Sequence, residues 1–319
     1  MHMADALVSV PVAATMAAAS TGAAVYAVKK IRKEDDPKKI PLMGVMGAFV
    51  FAAQMINFTI PGTGSSGHMA GSVLLSAVLG PEAGFVSMIA VLLIQCLLFA
   101  DGGLLALGCN IWNMAFYGCL LAYPLIFRPL TRKMTRGRII GASLLSCVVS
   151  LQLGAFSVTL ETLASGVTEL PFSYFVMAMQ PIHLAIGVVE GAVTAAVLCF
   201  LYEMKPDILE AGAAGRARMS AKAVVGTIAA AAAVIGGGLS YLASGLPDGL
   251  EWSMERVAGT AELDGGAAAQ AAGSLLDRLA IMPDYSGGGA SGLIGGAVVC
   301  MLLLAACVMF RLFRGRKNS

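Results

Sequence analysis

Long apolar runs separated by short polar joins occupy almost the whole chain. Nine such runs are read as helices, at about 5–28, 39–57, 68–80, 84–100, 104–127, 137–160, 172–203, 220–243 and 290–310. Crossing a bilayer takes about 20 apolar residues in a helix. The alternating ten-residue strands of a membrane barrel are not found. The pattern therefore predicts an all-α polytopic membrane protein with about nine transmembrane helices, seven followed by two. It also predicts three parts: 1–203, a polar linker at 204–219 holding Pro206, and 220–319, where two helices enclose a loop at about 244–289.

Composition strengthens this picture. Of 319 residues, 58% are hydrophobic and 13% charged, against about 25% charged in soluble domains; the mean hydropathy is +0.81. The seven cysteines lie mostly inside apolar runs without a CxxC pair, so they read as packing residues.

Basic residues fall in four clusters: Lys29, Lys30, Arg32, Lys33, Lys38 and Lys39; Arg128, Arg132, Lys133, Arg136 and Arg138; Lys205, Arg216, Arg218 and Lys222; and Arg311, Arg314, Arg316 and Lys317. With nine spans, 19 of the 21 basic residues share one face, and only Arg256 and Arg278 lie opposite. The positive-inside rule then places the N-terminus outside and the C-terminus in the cytoplasm. The first Lys is Lys29, so the start lacks the basic region of a cleaved signal peptide and reads as a retained, translocated terminus.

Small residues recur at spacing four in Ala13/Ala17, Ala19/Ala23/Ala27 and Gly288/Gly292/Gly296. Such stripes let membrane helices approach closely, within the chain or against a partner subunit. The outer loop carries Asp248, Glu251, Glu255, Glu262, Asp264, Asp277 and Asp284, which would attract cations or merely solvate the loop. His183 and Glu190 share a face of the seventh helix, and Glu161 ends the sixth. Ionisable residues in a membrane helix are functional candidates, with a buried structural pair as the alternative.

The candidate chemistry is concentrated in three histidines. His2 follows the terminal residue, and His68 ends the loop Pro61-Gly62-Thr63-Gly64-Ser65-Ser66-Gly67, on the same predicted outer side. The Met1 amine, the next amide and the His2 imidazole can close two fused chelate rings on one ion, with His68 as a fourth nitrogen. Four planar nitrogens suit Ni(II) or Cu(II), and Co(II) is admitted. Asn110 and Asn113 follow the glycine-rich stretch after Asp101, near this side, as hydrogen-bonding or capping residues.

Other chemistries are absent. Gly62-x4-Gly67 lacks the Lys and Ser/Thr of a phosphate-binding loop, HExxH does not occur, and no catalytic triad stands out. The basic residues are juxtamembrane, so no nucleic-acid partner is expected.

Three stretches carry a family resemblance: Met1-His2-Met3-Ala4-Asp5-Ala6-Leu7, the run from Gln54 to His68, and Asp101-Gly102-Gly103 to Asn110. With Pro181-Ile182-His183 to Gly187 and Glu190-Gly191, they resemble the CbiM/NikM family over about residues 1–203. These are substrate-binding (S) subunits of energy-coupling-factor cobalt and nickel transporters. Pro247-Asp248-Gly249-Leu250-Glu251 resembles the PDGLE module of NikN-type accessory subunits, here fused behind.

The resemblance implies a transported Ni²⁺ or Co²⁺, no cofactor of the chain's own, and ligands from Met1, His2 and His68. Asn57, Asn110, His183 and Glu190 are the candidate supporting residues. It implies a transmembrane coupling (T) subunit and two cytosolic ATPases as partners, in a prokaryotic cell membrane with lipid around the helices. The rivals are a self-sufficient secondary metal transporter and a membrane metalloenzyme. No inverted repeat is seen for the first, and no general base is expected near His2 and His68 for the second. Planar nitrogen ligation leans to nickel without excluding cobalt.

Overall fold

In the computed structural model, residues 1–34, 39–167, 170–209 and 217–315 are described, with side chains described up to residue 308 except at Glu34. Lys38, Arg216, Arg316 and Lys317 of the basic clusters lie outside the described residues, as do 210–216 of the predicted linker.

The molecule is helical, with one small antiparallel hairpin of β1 (Phe58–Ile60) and β2 (Ser65–Gly67). The helices are α1 (Val10–Glu34), α2 (Lys39–Gln54), α3 (Ser72–Leu79), α4 (Pro81–Phe99), α5 (Leu107–Ile111), α6 (Arg128–Leu130), α7 (Arg136–Ser165), α8 (Phe172–Met204), α9 (Ala221–Gly237), α10 (Gly249–Ala258), α11 (Gly266–Leu279) and α12 (Gly289–Gly315). A π-helical stretch, Trp112–Phe127, joins α5 to α6 and contains Pro124. Among the described residues, five helical segments are long and apolar enough to cross a membrane: Val10–Lys33, Pro81–Phe99, Arg136–Ser165, Phe172–Met204 and Gly289–Val308. Lys39–Gln54 and Ala221–Gly237 are shorter apolar helices.

The structure differs from the hydropathy pattern at three places. The first run was expected to be helical from residue 5, yet α1 begins at Val10. Pro11 suits a first helical turn, and the residues before it run into the protein, with Met3 and Leu7 fully buried. The run at 68–80 yields only the eight residues of α3, about 12 Å of helix, too short for a bilayer core of about 30 Å. The polar loop at 244–289 contains α10 and α11.

The short α3 continues the direction of the extended backbone in front of it. Lys30 near the end of α1 pairs with Glu82 at the start of α4, whereas His2 lies against Asp101 just after α4. Helices α1 and α4 are therefore antiparallel, and β2 to α3 leads from the His2 end back to the Glu82 end. Residues 68–71 are not helical, and Ala70 and Gly71 give their N–H groups to Glu190, both at 2.9 Å. Gln54 Nε2 donates to the Ala70 carbonyl at 2.7 Å. Non-helical backbone inside a membrane protein persists where other groups satisfy it in this way.

Close helix contacts use small residues. A Cβ on Gly191 in α8 would lie 2.7 Å from Leu144 Cα in α7, and one on Gly187 would lie 3.0 Å from Val148 Cα. Gly292 of α12 touches Gly236 of α9, where a Cβ would lie 2.3 Å from the Gly236 oxygen. Gly292, of the Gly288/Gly292/Gly296 stripe, thus packs within this chain. On α1, Ala13 and Ala27 are buried and Ala17 is exposed.

Replacing Gly292 by Leu forces α9 and α12 apart, and overpacking of this kind costs about 1–3 kcal/mol. The expected outcome is a lower midpoint of thermal unfolding in detergent; an unchanged midpoint would contradict the close approach.

Candidate metal centre

The first three residues form a plug inside the helices. Gly103 N–H donates to the Met3 carbonyl at 2.8 Å. Asn110 grips Met3 from both sides: Met3 N–H donates to Asn110 Oδ1 at 2.7 Å, and Asn110 Nδ2 donates to the Met3 carbonyl at 3.1 Å. Asp5 Oδ1 accepts the Ala106 N–H at 3.0 Å. Glycine is required beside the plug, since a Cβ on Gly103 would lie 2.4 Å from Asp5 N.

That plug carries two nitrogen donors to one point. Met1 N is 3.4 Å from His68 Nε2. The His2 and His68 rings stack with centroids 5.2 Å apart and planes 18° off parallel. His68 Nδ1 lies 3.1 Å from the Met69 carbonyl, which can only accept, so Nδ1 holds the proton and Nε2 faces the Met1 nitrogen with a lone pair.

Each donor has a placeholder. Met1 N pairs with Asp248 Oδ2. His2 Nδ1 lies 3.1 Å from Asp101 Oδ1, and His2 Nε2 lies 3.2 Å from Gln95 Oε1. Burial pulls the His2 imidazole below its ordinary range, more than the Asp101 carboxylate raises it; the neutral ring that this favours donates to only one of Asp101 and Gln95 and keeps a lone pair on its other nitrogen, as a ligand must. Burial alone would raise the Asp248 carboxyl, but the Met1 ammonium beside it and the N–H groups at the start of α10 hold it low and ionised.

Asp248 comes from the C-terminal part, a role its place in a polar loop did not reveal. The Asp-Gly-Leu-Glu order is a helix-start signal: Asp248 Oδ1 accepts from Leu250 N and Glu251 N at 2.7 and 3.0 Å. Glu251 Oε2 accepts from Asp248 N–H at 3.0 Å, closing a capping box. The box leaves Oδ2 for Met1. The β hairpin anchors this segment, with Ser66 N donating to the Pro247 carbonyl at 2.8 Å and Trp252 Nε1 to the Thr63 carbonyl at 3.0 Å.

The remaining candidates take separate places. Asn110 secures the plug. Asn57 lines the entrance cavity, and its carbonyl accepts the Ser244 N–H at 2.7 Å. Glu190 holds the backbone after His68, and His183 lies beside a small cavity shared with His68 and Met1. His183 and Glu190 are thus not a pair. Glu161 accepts from Asn113 Nδ2 at 2.7 Å. Carboxylates Asp101 and Asp248 stand beside His2 and Met1, where none was expected. Among the described residues, no three His, Cys, Asp or Glu side chains are grouped to hold an ion, so a site here needs main-chain nitrogen. A cavity of about 640 Å³ leads to it, lined by His2, His68, Asp101, Asp248, Glu251 and Asp277 among others.

Residues 2–208 match the family described as "Cobalt uptake substrate-specific transmembrane region", and 222–312 match the PDGLE domain. A putative fused nickel transport protein, NikMN, of Archaeoglobus fulgidus is 34% identical over 218 residues, 67% of this chain and 70% of the relative. The cobalt transport protein CbiM of Sorangium cellulosum is 30% identical over 182 residues, 56% of this chain and 80% of that one. A crystal structure described as a truncated transition metal transporter superposes with a TM-score of 0.56 at 32% identity, covering 63% of this chain and 98% of that one.

Replacing Asn110 by Ala leaves the Met3 N–H and carbonyl without this buried partner, at about 1–3 kcal/mol for an unsatisfied group. Hydrogen exchange of the Met3 amide is expected to accelerate at least about tenfold, since 1.4 kcal/mol is tenfold; unchanged protection would mean that Asn110 does not hold the plug.

Proposed function

The chain belongs to the CbiM family of cobalt-uptake substrate-specific transmembrane proteins, continued by a PDGLE domain, and from that membership we propose that it is the substrate-binding subunit of an energy-coupling-factor importer of Ni²⁺ or Co²⁺. Its relatives are metal transport proteins, and it is a multi-pass membrane protein. In this reading residues 1–203 form the metal-binding component, 204–219 a cytoplasmic link and 220–319 the accessory module; the family matches at 2–208 and 222–312 support two parts in this order. The N-terminus faces outward. A transmembrane coupling subunit and two cytosolic ATPases supply the energy.

The observation that carries this reading is the convergence of Met1, His2 and His68, with Met1 N 3.4 Å from His68 Nε2. The cation enters through the acidic cavity. It binds the Met1 amine, the His2 amide nitrogen, the His2 imidazole and His68. Asp248 gives up the Met1 nitrogen, and Asp101 or Gln95 gives up the His2 ring. The amine and amide each lose a proton as the metal–nitrogen bonds form, so capture releases protons and weakens with acid. The deprotonated amide, with Asp101 and Asp248 close by, offsets the ion's positive charge inside the protein. ATP hydrolysis in the partners then drives the subunit to expose the ion inward. Asn110 positions the chelate, and Glu190 positions His68 through the backbone that follows it.

The test is calorimetric titration of Ni²⁺ and Co²⁺ into the native chain and a chain with one residue added before Met1. The extension blocks the amine, and loss of chelation is expected to weaken binding at least about a hundredfold, some 2.7 kcal/mol. Equal affinity would remove Met1 and the His2 chelate from the site. Native affinity is expected to fall steadily from pH 8 to pH 5, as protons compete for the ligands; a flat profile contradicts the chelate. Uptake that continues with inactive partner ATPases contradicts the energy-coupling role.

A further inference from the structure

Behind the outer nitrogens lies a second, smaller space that the site above does not use. It has about 10 Å³ of room, lined by Met1, His68, His183, Asp248, Met114 and Gly249 among others. That is near the volume of one water-sized occupant. His183 is 1% exposed, and its Nε2 has no hydrogen-bond partner. The other ring nitrogen, Nδ1, lies 2.8 Å from the Met179 carbonyl. A carbonyl only accepts, so Nδ1 carries the proton, and the neutral ring presents a lone pair at Nε2. Leaving a buried polar atom unsatisfied costs about 1–3 kcal/mol, so an apolar residue here would be more stable unless the nitrogen has an intermittent partner.

The walls bring that lone pair close to donors already assigned. Gly249 follows Asp248, and a Cβ on it would lie 3.2 Å from His183 Nε2. Gly67 and Ala70 flank His68 on the same cavity, and Leu151 and Ile186 complete it with apolar surface. His68 and Asp248 therefore border both the outer point and this inner space.

Building on the outer chelate proposed above, we propose that His183 Nε2 is an inner ligand for the transported divalent cation. With His68 and Asp248 it forms a transfer position that receives the bare ion as Met1 and His2 let go. His68 is the donor common to both positions, so the ion never loses all its ligands in a low-dielectric interior, where an unpaired charge is most costly. Among the described residues no three His, Cys, Asp or Glu side chains are grouped to hold an ion, so His68, His183 and Asp248 must draw together around the ion to form this position. A space this small admits a bare cation and rejects its hydration shell, so dehydration is completed at the outer nitrogens.

The experiment uses the full chain in detergent in four forms: native, His183→Gln, the one-residue extension before Met1, and the extension combined with His183→Gln. Ni²⁺ is titrated by calorimetry and visible absorption. His183→Gln is expected to keep the tight one-to-one isotherm within about twofold, a difference of some 0.4 kcal/mol, which also shows that it folds. In the complete transporter the same variant is expected to lower Ni²⁺ uptake into vesicles at least about tenfold. The extended chain should retain a weak site that the added His183→Gln removes. Gly249→Ala fills the same space and should remove that weak site too, an independent check if the glutamine variant misfolds. An extended chain with no residual site, or with one that survives both substitutions, overturns the inner ligand. So does loss of the tight isotherm in His183→Gln, which would place His183 in the outer set. If the extension binds as tightly as the native chain, the outer chelate fails by itself; His183→Gln then decides the inner ligand by abolishing or sparing that binding.

Discussion

A buried ammonium requires a carboxylate beside it, and the pair formed by Met1 and the half-buried Asp248 ties the first residue of the chain to its C-terminal module. Charges leave water only when paired and hydrogen-bonded, and deleting one member of such a pair costs about 3–5 kcal/mol. Both Asp248 oxygens are committed, one to the start of α10 and the other to Met1. The same segment is pinned to the β hairpin through Ser66 and Thr63. The N-terminal plug, the His68 loop and the PDGLE segment therefore hold one another in place.

The pairing also explains why the site is shaped before an ion arrives. His2 is held by Asp101 and Gln95, and Asp101 in turn accepts the Tyr285 hydroxyl at 2.6 Å. These contacts keep the nitrogens near one point and satisfy them meanwhile. In the proposed site an entering cation would exchange one set of partners for another, leaving little ordering to do on binding. The carboxylates lining the cavity would concentrate cations at its entrance, a long-range effect weakened by salt.

The unwound backbone ahead of α3 serves the same end. A continuous helix would bury its N–H groups in its own hydrogen bonds and turn His68 with the helix face. Instead the backbone at Ala70 and Gly71 is unwound and anchored by Glu190, and a carboxylate in α8 thereby sets the position of a histidine from another element. Glu190 is buried for this reason, and its spacing from His183 on one helix face is incidental to it.

Much of the protein is legible from local pattern alone. Apolar runs of bilayer length specify a polytopic helical protein because the bilayer imposes one requirement on every span. Met1-His2 puts an amine, an amide and an imidazole side by side because they are covalent neighbours, and Asp248-Gly249-Leu250-Glu251 announces a helix start because capping is local. Where the pattern misled, a tertiary partner replaced a local one. Residues 5–9 look like the head of a helix, yet Asn110 and Gly103 hold Met3 just before them and draw this stretch inward, so that α1 begins at Val10. Residues 68–71 look like part of a span, yet Glu190 supplies the acceptor that a helix would have supplied. The match of Asp248 with Met1, 247 positions apart, and the shared cavity of His183 and His68 leave no periodic trace. They arise only when packed helices close the distance, and charge pairing in a dry interior decides which groups meet.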